Sequence, residues 1–531
     1  MLFAENLCYL HPNRDLLFEH ISLVLNRHQK AALVGNNGVG KSTLLKLLAG
    51  QLQPTSGAVR SDSAPYYVPQ HFGQYNGLTI AQALRIDAKL SALKAILDGD
   101  MSERNLDLLQ DDWGIEERAR EALSHWKLDG FDPDRPMDAL SGGQKTRVFL
   151  AGVDIHEPEL VLLDEPSNHL DGAGRALLYD FIRRTNRALL IVSHDRGLLS
   201  LPDTIWEMEP DGIAVYGGNF GFYQEQKALE RAAFEQELQS AEKSLRKAKE
   251  TAREVAERRQ RLEARGRRKQ EKAGTPTIML NTLRNNAEKS SSKLMDAHSE
   301  KIGSIADDLA RLRSELPAVD TMKLGFDDPA LHTGKVLITA NDLSFSYGDV
   351  PLWPEALQPE IRSGDRIAIE GPNGSGKSTL IRLLLGGLQP LTGTIARADF
   401  RAVYLDQDYS IVDNAATVYE QAQRYNDGGL EEHELKRRLT HFLFMKDDWD
   451  KPCAGLSGGE KMRLMLCCLS IGAQVPALIV LDEPTNNLDL QNIGILTAAV
   501  RSYKGTLIVV SHDRQFLEDV SIDRAISLRQ V

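Results

Sequence analysis

Short apolar runs alternate along this chain with amphipathic and polar stretches, and the runs come in two matching sets. Ala31–Val34, Val161–Leu163 and Ala188–Val192 in the first half, and Ile367–Ile369, Val480–Leu481 and Thr506–Val510 in the second, read as short strands. Thr43–Leu48, Lys145–Val153 and Lys461–Ile471 read as helices. The alternation predicts an α/β fold, repeated. Between the two sets the pattern changes. Leu238, Ala241, Leu245, Ala248, Ala252, Val255 and Leu262 recur at a spacing of three to four, as do Ile302, Ile305, Leu309, Leu312 and Leu316, which Pro317 ends. Gly274 and Pro276 lie between these seams and break the helix. The middle of the chain is therefore expected to be a long antiparallel helical hairpin. Its first helix, of about 50 residues, would be about 75 Å long at 1.5 Å per residue.

Glycine-rich segments join strand to helix at the start of each set. Gly35-Asn36-Asn37-Gly38-Val39-Gly40-Lys41-Ser42, followed by Thr43, and Gly371-Pro372-Asn373-Gly374-Ser375-Gly376-Lys377-Ser378, followed by Thr379, both fit the phosphate-loop pattern. Glycines let successive backbone N–H groups turn inward around an anion, and the helix behind adds partial positive charge. Lys41 and Lys377 can reach the β- and γ-phosphates, and the hydroxyls of Ser42 and Ser378 can ligate Mg²⁺. Further pairs recur in the same order. Gln70 closes Tyr66–Gln70 as Gln407 closes Val403–Gln407, and Ser141-Gly142-Gly143-Gln144 matches Ser457-Gly458-Gly459-Glu460. Asp164-Glu165 matches Asp482-Glu483, and His194 matches His512. Asp164 and Asp482 end apolar strands, where a carboxylate can hold a magnesium shell through water. Glu165 and Glu483 follow at the place for a general base acting on the attacking water. The two Ser-Gly-Gly turns, each before a helix, predict a second anion-binding helix start.

This ordered series closely resembles that of the ATP-binding cassette ATPases. The resemblance implies that His194 and His512 contact the γ-phosphate and that Gln70 and Gln407 contact Mg²⁺ and water. It implies a head-to-tail pairing in which Lys41 shares its ATP with Ser457, and Lys377 with Ser141. It places Tyr347 in the second cassette, and His11 at the equivalent position of the first, against adenine. Imidazole offers less stacking area than an aromatic ring, so a weaker grip on adenine is expected at the first site.

Composition narrows the class. Of 531 residues 42% are hydrophobic and 26% charged, with a formal net charge of −12. That excludes a uniformly basic nucleic-acid binder and leaves room for a local basic patch. Cys8, Cys453, Cys467 and Cys468 show no metal-binding spacing and read as reduced thiols of a cytoplasmic protein. No signal peptide, membrane span or structural metal is expected. The first cassette carries about twenty extra residues within 87–112, with seven acidic and three basic side chains. The stretch 253–272 has nine Lys or Arg against four Glu: Arg258, Arg259, Arg261, Arg265, Arg267, Arg268, Lys269 and Lys272 all lie in it, flanking the hairpin tip, Thr277–Leu280.

Two cassettes joined by such a hairpin resemble the ABC-F family, which spans housekeeping translation factors and antibiotic-protection proteins. Tyr216–Phe220 with Tyr223 and Lys227 is similar to that family's passage from first cassette to linker. The segments Glu165–Asp171 and Glu483–Asp489 fit its extended strand-end motif. The expected organisation is a first cassette at 1–218 with a short acidic arm at 87–112, a hairpin linker at 219–335 and a second cassette at 336–531. The resemblance implies a Mg²⁺-dependent ATPase, monomeric with intramolecular cassette pairing, that binds the ribosomal exit site in its ATP state and touches rRNA and tRNA through the linker. The competing readings are a double ATPase subunit of a membrane transporter, in which the hairpin has no place, and a chromosome-type ATPase. The latter would need zinc cysteines or far longer coiled coils.

Overall fold

The computed structural model describes residues 1–270, 299–312, 332, 334–348 and 350–529. The chain forms two compact units, Met1–Tyr223 with Thr321–Val531, and Gln224–Asp320. The first holds both cassettes. In the first cassette the main sheet runs in the order Tyr66–Val68, Leu160–Asp164, Ala188–Val192, Lys30–Val34, Thr204–Glu209, Gly212–Gly217. All neighbours are parallel except the last pair. The second cassette repeats the order with Ala402–Leu405, Leu478–Asp482, Thr506–Val510, Arg366–Glu370 and Arg524–Ser527. Each cassette adds a three-stranded antiparallel sheet, Leu16–Leu25 beside Leu2–Leu10 beside Ser56–Ser61 in the first.

The alternation of side chains along a strand explains why the central runs are apolar throughout. Leu160 and Leu162 point into a core with Phe18 and Leu44, while Val161 and Leu163 point into another with Trp126 and Phe149. With both faces of the sheet covered, the functional residues are confined to the strand ends, where the chain leaves the sheet.

The Ser-Gly-Gly segments are not turns ahead of their helices. The helices Gly142–His156 and Gly458–Ile471 begin at the first glycine, with Ser141 and Ser457 as N-caps. Both caps are closed as capping boxes by Gln144 and Glu460, a motif whose loss typically costs about 0.5–2 kcal/mol. The extra residues of the first cassette fold as two helices, Asp87–Leu97 and Glu103–Leu109. Ala92, Leu93, Ile96 and Leu109 are buried in the cassette core, and Asp112 joins Lys89 at 2.9 Å and Arg118 at 2.6 Å. The arm is thus anchored by its apolar face, while Leu97, Met101, Leu106 and Leu108 are left in solvent.

The 51-residue helix Phe220–Gln270, most of which belongs to the second unit, has the length its seam predicts. Leu238, Ala241, Leu245, Ala248, Ala252 and Val255 are half-buried among exposed neighbours. Residues 299–312 form a returning helix, where Leu309 and Leu312 are buried. Arg258, Arg261 and Arg265 are exposed. The side chains of Leu262, Arg259, Arg267, Arg268 and Lys269 lie outside the described residues, as do Lys272, the tip residues Thr277–Leu280, Leu316 and Pro317.

Candidate functional site

Each phosphate loop joins a central strand to a helix, Lys41–Leu48 or Lys377–Leu385. Gly40 and Gly376 cap these helices at φ of 105° and 86°, a region open to glycine and costly to side chains. A Cβ on Gly40 would stand 2.8 Å from the Phe18 ring. Lys41 Nζ turns back on its own loop, donating to the carbonyls of Gly35 at 2.7 Å and Asn36 at 3.0 Å. Lys377 Nζ does the same with Gly371 at 2.8 Å and Pro372 at 3.1 Å. Burial lowers both lysines' pKa values, against the opposing pull of Glu165 on Lys41 and of Glu483 on Lys377.

The two strand-end carboxylates divide by environment. Asp164 accepts from Ser42 at 2.9 Å and Asp482 from Ser378 at 2.8 Å. Tyr67 and Tyr404 each donate to the same carboxylates at 2.9 Å. Neither tyrosine figured among the sequence candidates. The signal was present: each lies three residues before its glutamine, Gln70 or Gln407. Glu165 and Glu483 lack such partners. Their backbones are left-handed, at φ 48° and 50°, an uncommon conformation for a side-chain-bearing residue. It is pinned by N–H bonds to Val192 and Val510, both at 2.8 Å. Burial pushes Glu165 up to about 8 and Glu483 up to about 7. Lys41 opposes the shift at Glu165, whereas at Glu483 the first opposing charge is Arg175, ahead of Lys377.

His194 and His512 donate their backbone N–H to these glutamates at 3.3 and 3.4 Å. Their Nε2 atoms lie 3.3 and 3.4 Å from Glu165 Oε1 and Glu483 Oε1, without hydrogen-bond alignment. Both Oε1 atoms are left buried and unpartnered, as are His194 Nδ1 and His512 Nε2. Burial lowers both imidazoles' pKa values, His512 to about 4, so they are neutral at pH 7. Buried polar groups normally have partners, and a water or phosphate oxygen beside these atoms would supply them.

A cavity of about 520 Å³ brings most of the first set together. His11, Asn37, Gly38, Gly40, Lys41, Ser42, Thr43, Gln70, Glu165 and His194 line it, with Ser457 and Asn487 from the second cassette. Its size suits a nucleotide, and its walls bring Lys41 and Ser457 together at this end. Asn37 donates to Asp489 through its backbone at 3.1 Å and to the Asn487 carbonyl through its side chain at 3.0 Å. At the other end Asn373 donates to the His169 carbonyl at 3.0 Å. Gly143 packs under that carbonyl, where a Cβ would come within 2.6 Å. Gln144 and Glu460 use their side chains in the capping boxes, and Glu460 also takes Lys451 at 3.0 Å. Gln407 is half-buried just past the strand that pairs with Leu478–Asp482. Tyr347 is 69% exposed, its hydroxyl 3.1 Å from Thr379. His11 is exposed, edge-on to Tyr9 at 5.9 Å between centroids.

Two phosphate loops facing each other's capped glycine helices define a tandem ATP-binding cassette protein. The family profile described as ABC transporter matches residues 18–168 and 355–486, and the chain belongs to that family. It is 32% identical to the putative ATP-binding protein YdiF of Bacillus subtilis, over 96% of this chain and 77% of that one. It is 29% identical to the probable ATP-binding protein YbiT of Escherichia coli O157:H7, over 98% of this chain and 95% of that one. ABC transporter F family member 5 of Arabidopsis thaliana is 28% identical over 96% of this chain and 72% of its own. Among solved structures, the archaeal ribosome recycling factor aABCE1, in complex with the stalk protein aP1, superposes with a TM-score of 0.61. It is 22% identical, over 98% of this chain and 87% of that one, and speaks for the tandem fold alone. The chain is a tandem-cassette ATPase of the ABC transporter family.

Proposed function

We propose that this ATPase binds the ribosomal exit site while ATP holds its cassettes closed, acts on translation through the linker, and leaves on hydrolysis. The observation that carries this reading is the basic flank of the linker helix, with Arg258, Arg261 and Arg265 exposed in a protein of net charge −12. Arginine forks suit RNA phosphates, and such a flank has no use in docking a transporter's membrane subunit. Among the described residues no helix is long and apolar enough to cross a membrane. A cytoplasmic, monomeric protein fits one chain carrying both halves of each site.

In the proposed catalytic roles, Glu165 and Glu483 accept the proton of the attacking water, which their raised pKa values suit. His194 and His512, neutral, hydrogen-bond the γ-phosphate. The loop amides and Lys41 or Lys377 hold the remaining phosphate charge. An oxygen-only donor set, Ser42 with Asp164 and Ser378 with Asp482, fits magnesium, with Gln70 and Gln407 as further contacts. The bound ion would neutralise charge developing on the phosphates.

The test is co-sedimentation with 70S ribosomes. The Glu165→Gln, Glu483→Gln protein should bind ATP, lose roughly 10²–10⁴ in turnover and pellet with ribosomes in ATP but not ADP. Ribosome binding indifferent to nucleotide, or capture of detergent-solubilised membrane subunits instead, rejects the reading.

A further inference from the structure

The two ATP sites are built from repeated motifs, yet the cassettes do not lend each other the same side chains. The segment His169–Arg175 of the first cassette lies against the second site, fixed there by the bond from Asn373 to the His169 carbonyl. Asp171 caps the helix that follows, bonding Gly174 N–H at 2.8 Å and Arg147 at 2.7 Å. One turn on comes Arg175, buried, its guanidinium fixed by Asp195 at 3.2 Å and the Leu170 carbonyl at 3.3 Å. Tyr179 holds the same Asp195 oxygen at 2.7 Å. The charge of Arg175 bears on Glu483 and His512, both in the other cassette.

The repeat gives the mirror positions. Asp171 corresponds to Asp489, which caps its helix in the same way. Arg175 corresponds to Ile493, a buried aliphatic residue, and Tyr179 to Thr497, whose hydroxyl bonds its own helix backbone. The neighbouring ion pair across the cassettes is one-sided too. Arg196 meets Asp519 at 2.7 Å, while the mirror pair would be Arg514 and Leu201. The position that carries a buried, fixed cation in the first cassette therefore carries a hydrocarbon in the second.

We propose that Arg175 is a positioning residue for the second site, a cation supplied in trans by the first cassette that makes this site the faster of the two in hydrolysis. A charge held in a dry interface acts strongly on its neighbours. It favours the side of the site where negative charge gathers during phosphoryl transfer, at no cost of reorganisation. Because Arg175 is itself held by Asp195, it orders the groups around Glu483 without displacing them. This rests on the assignment of Glu483 as the second site's base.

The experiment is single-turnover hydrolysis in the full-length chain with ATP loaded in both sites. The parent should show two phases, and Glu483→Gln should remove the faster. Arg175→Gln keeps hydrogen-bond donors for Leu170 and Asp195 but not the charge, and Arg175→Lys keeps the charge. The Gln variant should slow the fast phase by about tenfold or more, below the roughly 10³–10⁵ of an arginine that touches phosphate itself. It should leave the slow phase and the ATP concentration for half-saturation unchanged, and the Lys variant should recover most of the loss. A single phase in the parent, equal slowing of both phases, or Lys no better than Gln would each overturn the proposal. Survival of the fast phase in Glu483→Gln would instead reject the base assignment.

Discussion

Glu165 and Glu483 are kept by burial in conditions that suit a base and cost the empty protein stability. The folded-state value of Glu165, about 8, lies above its ordinary 4.5. Its contribution to stability is therefore complete below about pH 4.5 and is lost as pH rises through 8. Glu483, at about 7, behaves alike over a lower range. Glutamine cannot ionise, so the Glu165→Gln, Glu483→Gln protein without nucleotide should gain melting temperature over the parent as pH rises from 5 to 9. A gap independent of pH, read by calorimetry, would show that these carboxylates are not held neutral. At His11 the expectation concerns binding. His11→Tyr adds stacking area at the first site, worth about 0.5–1.5 kcal/mol. ATP affinity measured with Lys377→Ala in the second site should tighten by roughly two- to tenfold, and unchanged affinity removes His11 from the adenine site.

At the scale of elements, the capping boxes at Ser141 and Ser457 are local features, because each closes within three residues. The arm is different. Its acidic composition suggests a free loop, but Ala92, Leu93 and Ile96 share one face of a helix and find a core to enter. No local count of charges reveals that. The linker's seam was readable because its period persists over many turns, whereas its proposed role depends on charge placed along its length. Replacing Arg258, Arg261 and Arg265 by Ala should weaken ribosome binding of the ATP-trapped protein and lower the log–log salt slope by roughly two units. ATPase without ribosomes should stay at the parental rate. A wild-type slope would mark these arginines as a solvated helix face.

For the whole molecule, closure of the cassettes depends on contacts between residues hundreds of positions apart. Arg196 and Asp519 form such a pair at 2.7 Å, with side chains 16% and 30% exposed. Arg196→Ala and Asp519→Ala should each raise the ATP concentration needed for closure, followed by energy transfer between labelled cassettes. The double variant should cost less than the sum, with a coupling of about 0.5–3 kcal/mol. Strict additivity would show that the pair is not made in the closed state.

The repeated motifs alone determined the α/β class, the number of cassettes and the family of ATPases to which the chain belongs. Those features depend on short segments whose glycines, caps and strand ends act locally, so spacing reveals them. What surrounds each group depended on the tertiary structure. Tyr67 and Tyr404 reach Asp164 and Asp482 across a sheet, and Gln144 and Glu460 spend their side chains closing caps. The proposed influence of Arg175 on Glu483, 308 positions away, exists only because two cassettes meet there. Burial and charge at a distance set pKa values and site asymmetry, and both come from packing between segments that the linear chain keeps apart.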